Sequence, residues 1–217
     1  MAIDEALLEG SSRMSKPVLR FYEWNEPAAT FGYFQKYADV EGMTPLRPLI
    51  RRPTGGGLVP HDADWTYSLI FPPADPWYAL RAVESYERAH RWVQAAFARA
   101  GVAADLAPSS RPEGPGQCFI GAERFDLLWQ DRKIAGAAQR RTRDGQLIQG
   151  SIQPPPGVSL AGWRKAFCDV AREEWGVIWL QLGWESSLEL RAQELVRAKY
   201  STPEYNREEL INGRKKI

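Results

Sequence analysis

Residues 125–153, FDLLWQDRKIAGAAQRRTRDGQLIQGSIQ, decide the fold class. Phe125 to Trp129, Lys133 to Arg141 and Gln146 to Gln153 read as three strands. Turn signals near Asp131 and at Asp144-Gly145 join them into a meander. Ahead of it, Pro108 to Gln117 is a loop by composition. From Trp77 to Ala100 the apolar positions Val83, Tyr86, His90, Val93 and Phe97 recur at intervals of three and four. That spacing predicts an amphipathic helix, ended by Gly101. Pro154-Pro155-Pro156-Gly157 breaks the chain before a helix over Ser159 to Trp175. A last helix is expected from Ser187 to Lys199, with a loosely held polar tail after Pro203.

Towards the N-terminus, residues 2–10 predict a short helix with Ile3, Ala6 and Leu7 on one face. Val18 to Trp24, Ala28 to Gln35, Leu49 to Arg52 and Thr66 to Phe71 predict further strands. The expected class is therefore α+β, a mixed and largely antiparallel sheet packed with helices. No internal repeat or domain linker is visible, so residues 1–217 are expected to form a single domain.

The 217 residues suffice for a substantial core without disulfides or metals. Hydrophobic residues at 44% and charged residues at 25% fit an ordinary soluble protein. The 28 Lys+Arg against 27 Asp+Glu leave a net +1, which gives no global field for nucleic acid or an anionic membrane. No apolar run reaches the roughly 18–20 residues of a membrane helix. The acidic start MAIDEALLE lacks a signal peptide's basic and apolar regions. Two cysteines and two histidines build neither a disulfide framework nor a His-rich metal site. A cytoplasmic protein with no metal is expected. The nine Trp residues are read as packing groups.

Three segments carry chemistry-bearing residues. The first is RRPTGGGLVPHD at 51–62. Consecutive glycines let the backbone adopt positive φ and approach a ligand, and the arginines add forked hydrogen bonds. Neither the Walker nor the GxGxxG spacing is present, and a plain hairpin turn with solvated arginines also fits. The second is KIAGAAQRR at 133–141, where a lysine enters a strand of small residues. That suits a channel wall, or a surface lysine beside a tight core. The third is Cys118, at the end of a Pro/Gly-rich loop and fifteen residues before Lys133. A thiol near a lysine cation has a lowered pKa, whereas lone cysteines are commonly buried and inert. His61 is read as orienting the glycine loop and His90 as a core histidine. Cys168 has no assigned role.

Taken together, MAIDEALL, LRFYEW, FGYFQ, RRPTGGG…HD, KIAGAAQRR and IQGSI resemble the lipoate–protein ligase and lipoyl/octanoyl transferase family, which is related to the biotin ligases. Gln149 stands where many members have histidine. By this resemblance the family's first strand is missing here, and so is the small C-terminal domain of two-domain ligases. The GRGRRG-type loop of biotin ligases is absent too.

The resemblance implies transfer of an octanoyl or lipoyl group to a lysine of an acceptor lipoyl domain. Cys118 would carry the acyl group as a thioester. Lys133 would lower the thiol pKa and hold the acyl carbonyl. Backbone N–H groups near Gly56-Gly57 or Gly136 would form an oxyanion hole. Arg52, Thr54, Gly55, Gly56, Gly57, Leu58, Val59, Pro60, His61, Gly136, Ala137 and Gly150 would bind substrate, with Leu58, Val59 and Ala137 along the acyl chain. No cofactor is needed on this route. The alternatives are an ATP- and Mg-dependent lipoate ligase acting through lipoyl-AMP, and a non-catalytic acyl- or acceptor-binding paralogue. Implied partners are an acyl carrier protein or lipoylated donor and the acceptor domain, with no nucleic acid and no membrane. The chain is expected to be monomeric. Arg132, Lys133, Arg140, Arg141 and Arg143 form a local basic cluster that would dock an acidic acceptor, or a solvated hairpin.

Overall fold

In a computed structural model the described residues are 1–112, 119, 121–183, 186–207, 210–211 and 214–215. The meander is present and extended. Strands β9 (Leu127–Trp129), β10 (Arg132–Thr142) and β11 (Gly145–Ile152) pair in turn, and all of these pairs are antiparallel. With β1 (Val18–Tyr22), β5 (Trp65–Phe71) and β6 (Asp105–Leu106) they complete a six-stranded sheet of order β1-β5-β11-β10-β9-β6. A second sheet places β2 (Ala28–Phe31) between β3 (Leu49–Arg51), which is parallel to it, and β4 (Val59–His61), which is antiparallel. The α+β, largely antiparallel class holds. Two short pairs, β7 (Arg111–Pro112) with β8 (Gly121–Ala122) and β12 (Leu210–Ile211) with β13 (Arg214–Lys215), lie outside both sheets.

Side-chain alternation sorts the large sheet into two faces. Tyr67, Leu69, Ile148 and Ile152 pack against α3 (Ala82–Arg99) and α4 (Leu160–Trp175), burying Trp92, Phe97, Trp163 and Phe167. Ile70 and Leu147 meet Leu7 and Leu8 of α1 (Ala2–Gly10) on the other face. Several tryptophans are thus core groups. Trp92 Nε1 donates to the Phe167 carbonyl at 2.7 Å, which satisfies its one polar atom. Gly176, at φ +66, ends α4 where an L side chain would be strained.

Several expectations need correction. The helix read from Trp77 begins at Ala82, because Pro76–Ala79 forms a 3-10 turn and Leu80 and Arg81 are extended. The Glu84 carboxylate then accepts from the Arg81 N–H at 3.0 Å, capping the true start. Val83 is 60% exposed and leaves the apolar stripe. The strand from Ala28 stops at Phe31, and Val59–His61 is a strand that sequence had left within a turn segment.

Where a loose tail was expected to begin, Pro203–Arg207 forms a helix, α6. Fully buried Arg51 holds it: Nε donates to the Tyr205 carbonyl at 2.9 Å and Nη2 to the Asn206 carbonyl at 3.2 Å. Nη1 donates to the carbonyls of Tyr33 (2.8 Å) and Gln35 (2.6 Å). Arg51 is therefore a structural clamp. Among the described residues no helix is long and apolar enough to cross a membrane.

Candidate active site

A cleft of about 470 Å³, counted to its open mouth, lies between the two sheets. The small sheet contributes Thr30, Arg52, Val59 and His61, and the large sheet contributes Thr66, Gly136, Ala137, Gln149, Gly150 and Ser151. Met1 and Tyr22 line it as well, together with Phe119 and Lys133.

The glycine loop sits beside this cleft, held from within. Arg52 Nη2 donates to the carbonyls of Gly55 (2.7 Å) and Gly57 (2.6 Å), and Nη1 to Thr30 Oγ1 at 3.2 Å. Gly56 takes φ +85. Gly32 lets the loop close over β2, since a Cβ there would stand 1.9 Å from the Gly56 carbonyl oxygen. Thr54 Oγ1 donates to Gln149 Oε1 at 2.8 Å, and Gln149 Nε2 donates to buried Asp4 at 2.7 Å. Gln149 thereby ties the loop to α1.

His61 connects to the loop at one remove. Its Nε2 lies 2.8 Å from Thr30 Oγ1 and its Nδ1 2.8 Å from Asp64 Oδ2, with the Trp24 ring stacked at 4.1 Å. Thr30 also receives Arg52, so the chain of contacts runs from Asp64 through His61 to the residue gripping the glycines. Orientation is what this arrangement supplies.

Lys133 is 7% exposed at its side chain and pairs with the fully buried Asp126, Nζ to Oδ2, at 2.7 Å. The same oxygen accepts from the Glu123 N–H at 2.6 Å, and Oδ1 accepts from the Tyr86 hydroxyl. Gly136 makes room for the lysine: a Cβ there would lie 2.7 Å from Cε and 2.9 Å from Nζ. The small-residue strand lines the cleft beside a nearly buried lysine, and Lys133 leaves the surface basic cluster. At Gly150 a Cβ would strike the Tyr67 ring at 2.1 Å, so glycine is required there.

Of the expected binding set, the cleft wall takes Arg52, Val59, His61, Gly136, Ala137 and Gly150, together with Lys133, the expected catalytic lysine. Leu58 instead packs into a small core with Phe31, Val40 and Leu49. Thr54, Gly55, Gly56, Gly57 and Pro60 stand behind or beside the wall. Cys118 lies outside the described residues. Sequence reading missed Asp126, Tyr86, Thr30 and Asp64, none of which belongs to a motif with readable spacing. His90 is wholly buried, as expected of a core histidine, and burial pushes its pKa down to about 4. Among the described residues no group of three His, Cys, Asp or Glu side chains gathers as a metal site.

A family model for the lipoyl protein ligase A/B catalytic domain matches residues 1–153. The chain belongs to that family. An octanoyltransferase, LipM, of Symbiobacterium thermophilum is 38% identical over 165 residues, 70% of this chain and 59% of the relative. LipM of Carboxydothermus hydrogenoformans is 34% identical over 158 residues, with the same coverage. The chain thus spans about three fifths of the length of these curated relatives. Among solved structures, protein Ta0514 of T. acidophilum with bound lipoic acid superposes with a TM-score of 0.76 at 23% identity, over 94% of this chain and 91% of that one. That likeness establishes the lipoyl ligase fold.

Proposed function

We propose that this family member is an acyltransferase that moves an octanoyl or lipoyl group onto a lysine of a lipoyl-domain acceptor, by way of a Cys118 thioester. The observation that carries the reading is Lys133, a cation held by Asp126 in the wall of a cleft built from small residues. The similarity to proteins named octanoyltransferase supports the same reading. In the first step the Cys118 thiolate attacks the carbonyl of a carrier thioester. A new C–S bond forms, the carrier's C–S bond breaks, and the carrier thiolate departs and takes a proton from solvent. In the second step the acceptor amine attacks the enzyme thioester, forms the amide and returns the thiolate, while its surplus proton passes to solvent. Lys133 donates to the carbonyl oxygen as negative charge develops on it. The route uses no cofactor, and residues 1–217 act as one catalytic unit.

Incubation with octanoyl-carrier protein without ATP tests this. The protein should gain one octanoyl mass, labile to hydroxylamine, in wild type and in Cys168→Ser, and none in Cys118→Ser. Product formed by Cys118→Ser only with ATP, Mg and free lipoate would replace this reading with the ligase. A wild type inert under both conditions would make the chain a binding paralogue.

A further inference from the structure

We infer that Tyr86, on α3, is a positioning residue for the transfer: acting through Asp126, it fixes where the Lys133 ammonium stands in the cleft. The inference rests on the reading of Lys133 given above. Three donors converge on the Asp126 carboxylate, and they leave it little freedom to rotate. Oδ1 accepts from the Tyr86 hydroxyl, and Oδ2 accepts from the Glu123 N–H at 2.6 Å and from Lys133 Nζ at 2.7 Å. The Tyr86 oxygen is anchored in its turn by the Ala137 N–H at 3.4 Å, on the strand that carries Gly136. The tyrosine therefore joins the helix layer, the carboxylate and the wall of small residues.

The surroundings favour a fixed donor. Burial and the neighbouring Asp126 charge raise the Tyr86 pKa well above its ordinary value, so the phenol stays protonated and donates. His90 lies against Tyr86 with ring centroids 4.3 Å apart, and its Nδ1 is 3.1 Å from the Tyr86 carbonyl oxygen. Burial keeps that imidazole neutral at physiological pH, so no second cation draws Asp126 away from Lys133. Phe125, immediately before Asp126, is held at φ +74, which few non-glycine residues adopt. Asp126 is placed by a constrained turn as well as by its partners. A lysine ammonium has three N–H donors, so it can keep Asp126 and still reach a substrate oxygen.

Tyr86→Phe removes the donor and keeps the ring. Octanoyl transfer by this variant should show kcat lower by roughly 10- to 100-fold, the range for a buried charge-assisted hydrogen bond, with KM for the acyl donor within about twofold. In an Asp126→Asn background the same change should cost less than about twofold, because its route to Lys133 is already cut. Tyr78→Phe, which removes a hydroxyl donating to the Thr142 carbonyl at 2.9 Å farther along β10, should leave kcat unchanged. A second readout is independent of activity. The Lys133 ¹⁵Nζ ammonium resonance should exchange slowly in wild type and rapidly in Tyr86→Phe. Wild-type kcat in Tyr86→Phe, full multiplication of the two effects, or an unchanged Lys133 resonance would each overturn the proposal. A wild type without transfer activity would remove the acyltransfer reading, while the resonance would still decide whether Tyr86 fixes the lysine.

Discussion

Arg140 and Arg141, adjacent in sequence, lie on opposite faces of the six-stranded sheet. Arg140 reaches the glycine-loop side, with Nη1 3.3 Å from the Pro53 carbonyl oxygen and its guanidinium 5.4 Å from the Tyr33 ring. Arg141 reaches the helix side, bonding Gln146 Oε1 at 3.0 Å and lying over the Tyr78 ring. The basic cluster is not one surface. Only Arg140 flanks the loop beside the cleft.

Arg140→Glu should therefore raise the acceptor KM by up to about fivefold at low salt, the ~1 kcal/mol of a partly exposed charge pair, and the effect should fade as salt rises. Arg141→Glu should leave both values unchanged. Steady-state kinetics across ionic strength check this. Equal effects of the two changes would place docking elsewhere.

Lys133→Met should abolish transfer and also weaken the fold. Its loss strands a fully buried carboxylate that retains only Tyr86 and the Glu123 N–H. Breaking such a pair costs about 3 kcal/mol. Lys133→Met with Asp126→Asn should recover most of that in urea melts, with no return of activity.

Gly136→Ala should reduce kcat by about 100-fold with a smaller effect on stability. The added Cβ meets the flexible end of Lys133, which moves aside and leaves its productive position. Parallel melts and turnover measurements separate the two effects. An unaltered kcat would show that the lysine has room to spare.

His90 sets an acid limit on stability. Its pKa falls from 6.5 in the unfolded chain to about 4 in the fold. Below pH 6.5 the unfolded state binds a proton that the folded state refuses. Stability is therefore lost as pH drops from 6.5 towards 4, and none of this loss is present at neutral pH. Near pH 5, His90→Gln should gain roughly 2 kcal/mol on wild type relative to their difference at neutral pH. Parallel stability curves for the two proteins would contradict the burial argument.

Much of this molecule was legible from local pattern. The 125–153 meander has turn residues where strands reverse, and the small residues around Gly136 announce a wall that something must approach closely. The run of three glycines marks the loop, although only the fold shows Arg52 gripping its carbonyls. What sequence could not supply was partnership. Asp126 meets Lys133 because a bulge between Lys133 and Ala135 shifts the β9–β10 register, and Tyr86 arrives from a helix far upstream. Arg51 and Arg52 looked alike as adjacent cations. One, at the end of β3, became a clamp on residues 205–206 and the other, just past it, a loop clamp, a distinction set by which backbone carbonyls each encounters.

The Arg51 clamp has a consequence for the order in which this protein matures. Its backbone N–H donates to the Asn206 side chain across 155 positions, one of the longest separations the chain makes. The family match ends at residue 153, yet the strand leading into the glycine loop gains its last fastening when Tyr205 and Asn206 arrive. On the ribosome, the motif-bearing portion is complete long before its last hydrogen-bond acceptors emerge. A nascent chain halted ahead of Tyr205 would leave the Arg51 guanidinium with the Tyr33 and Gln35 carbonyls but without those of Tyr205 and Asn206.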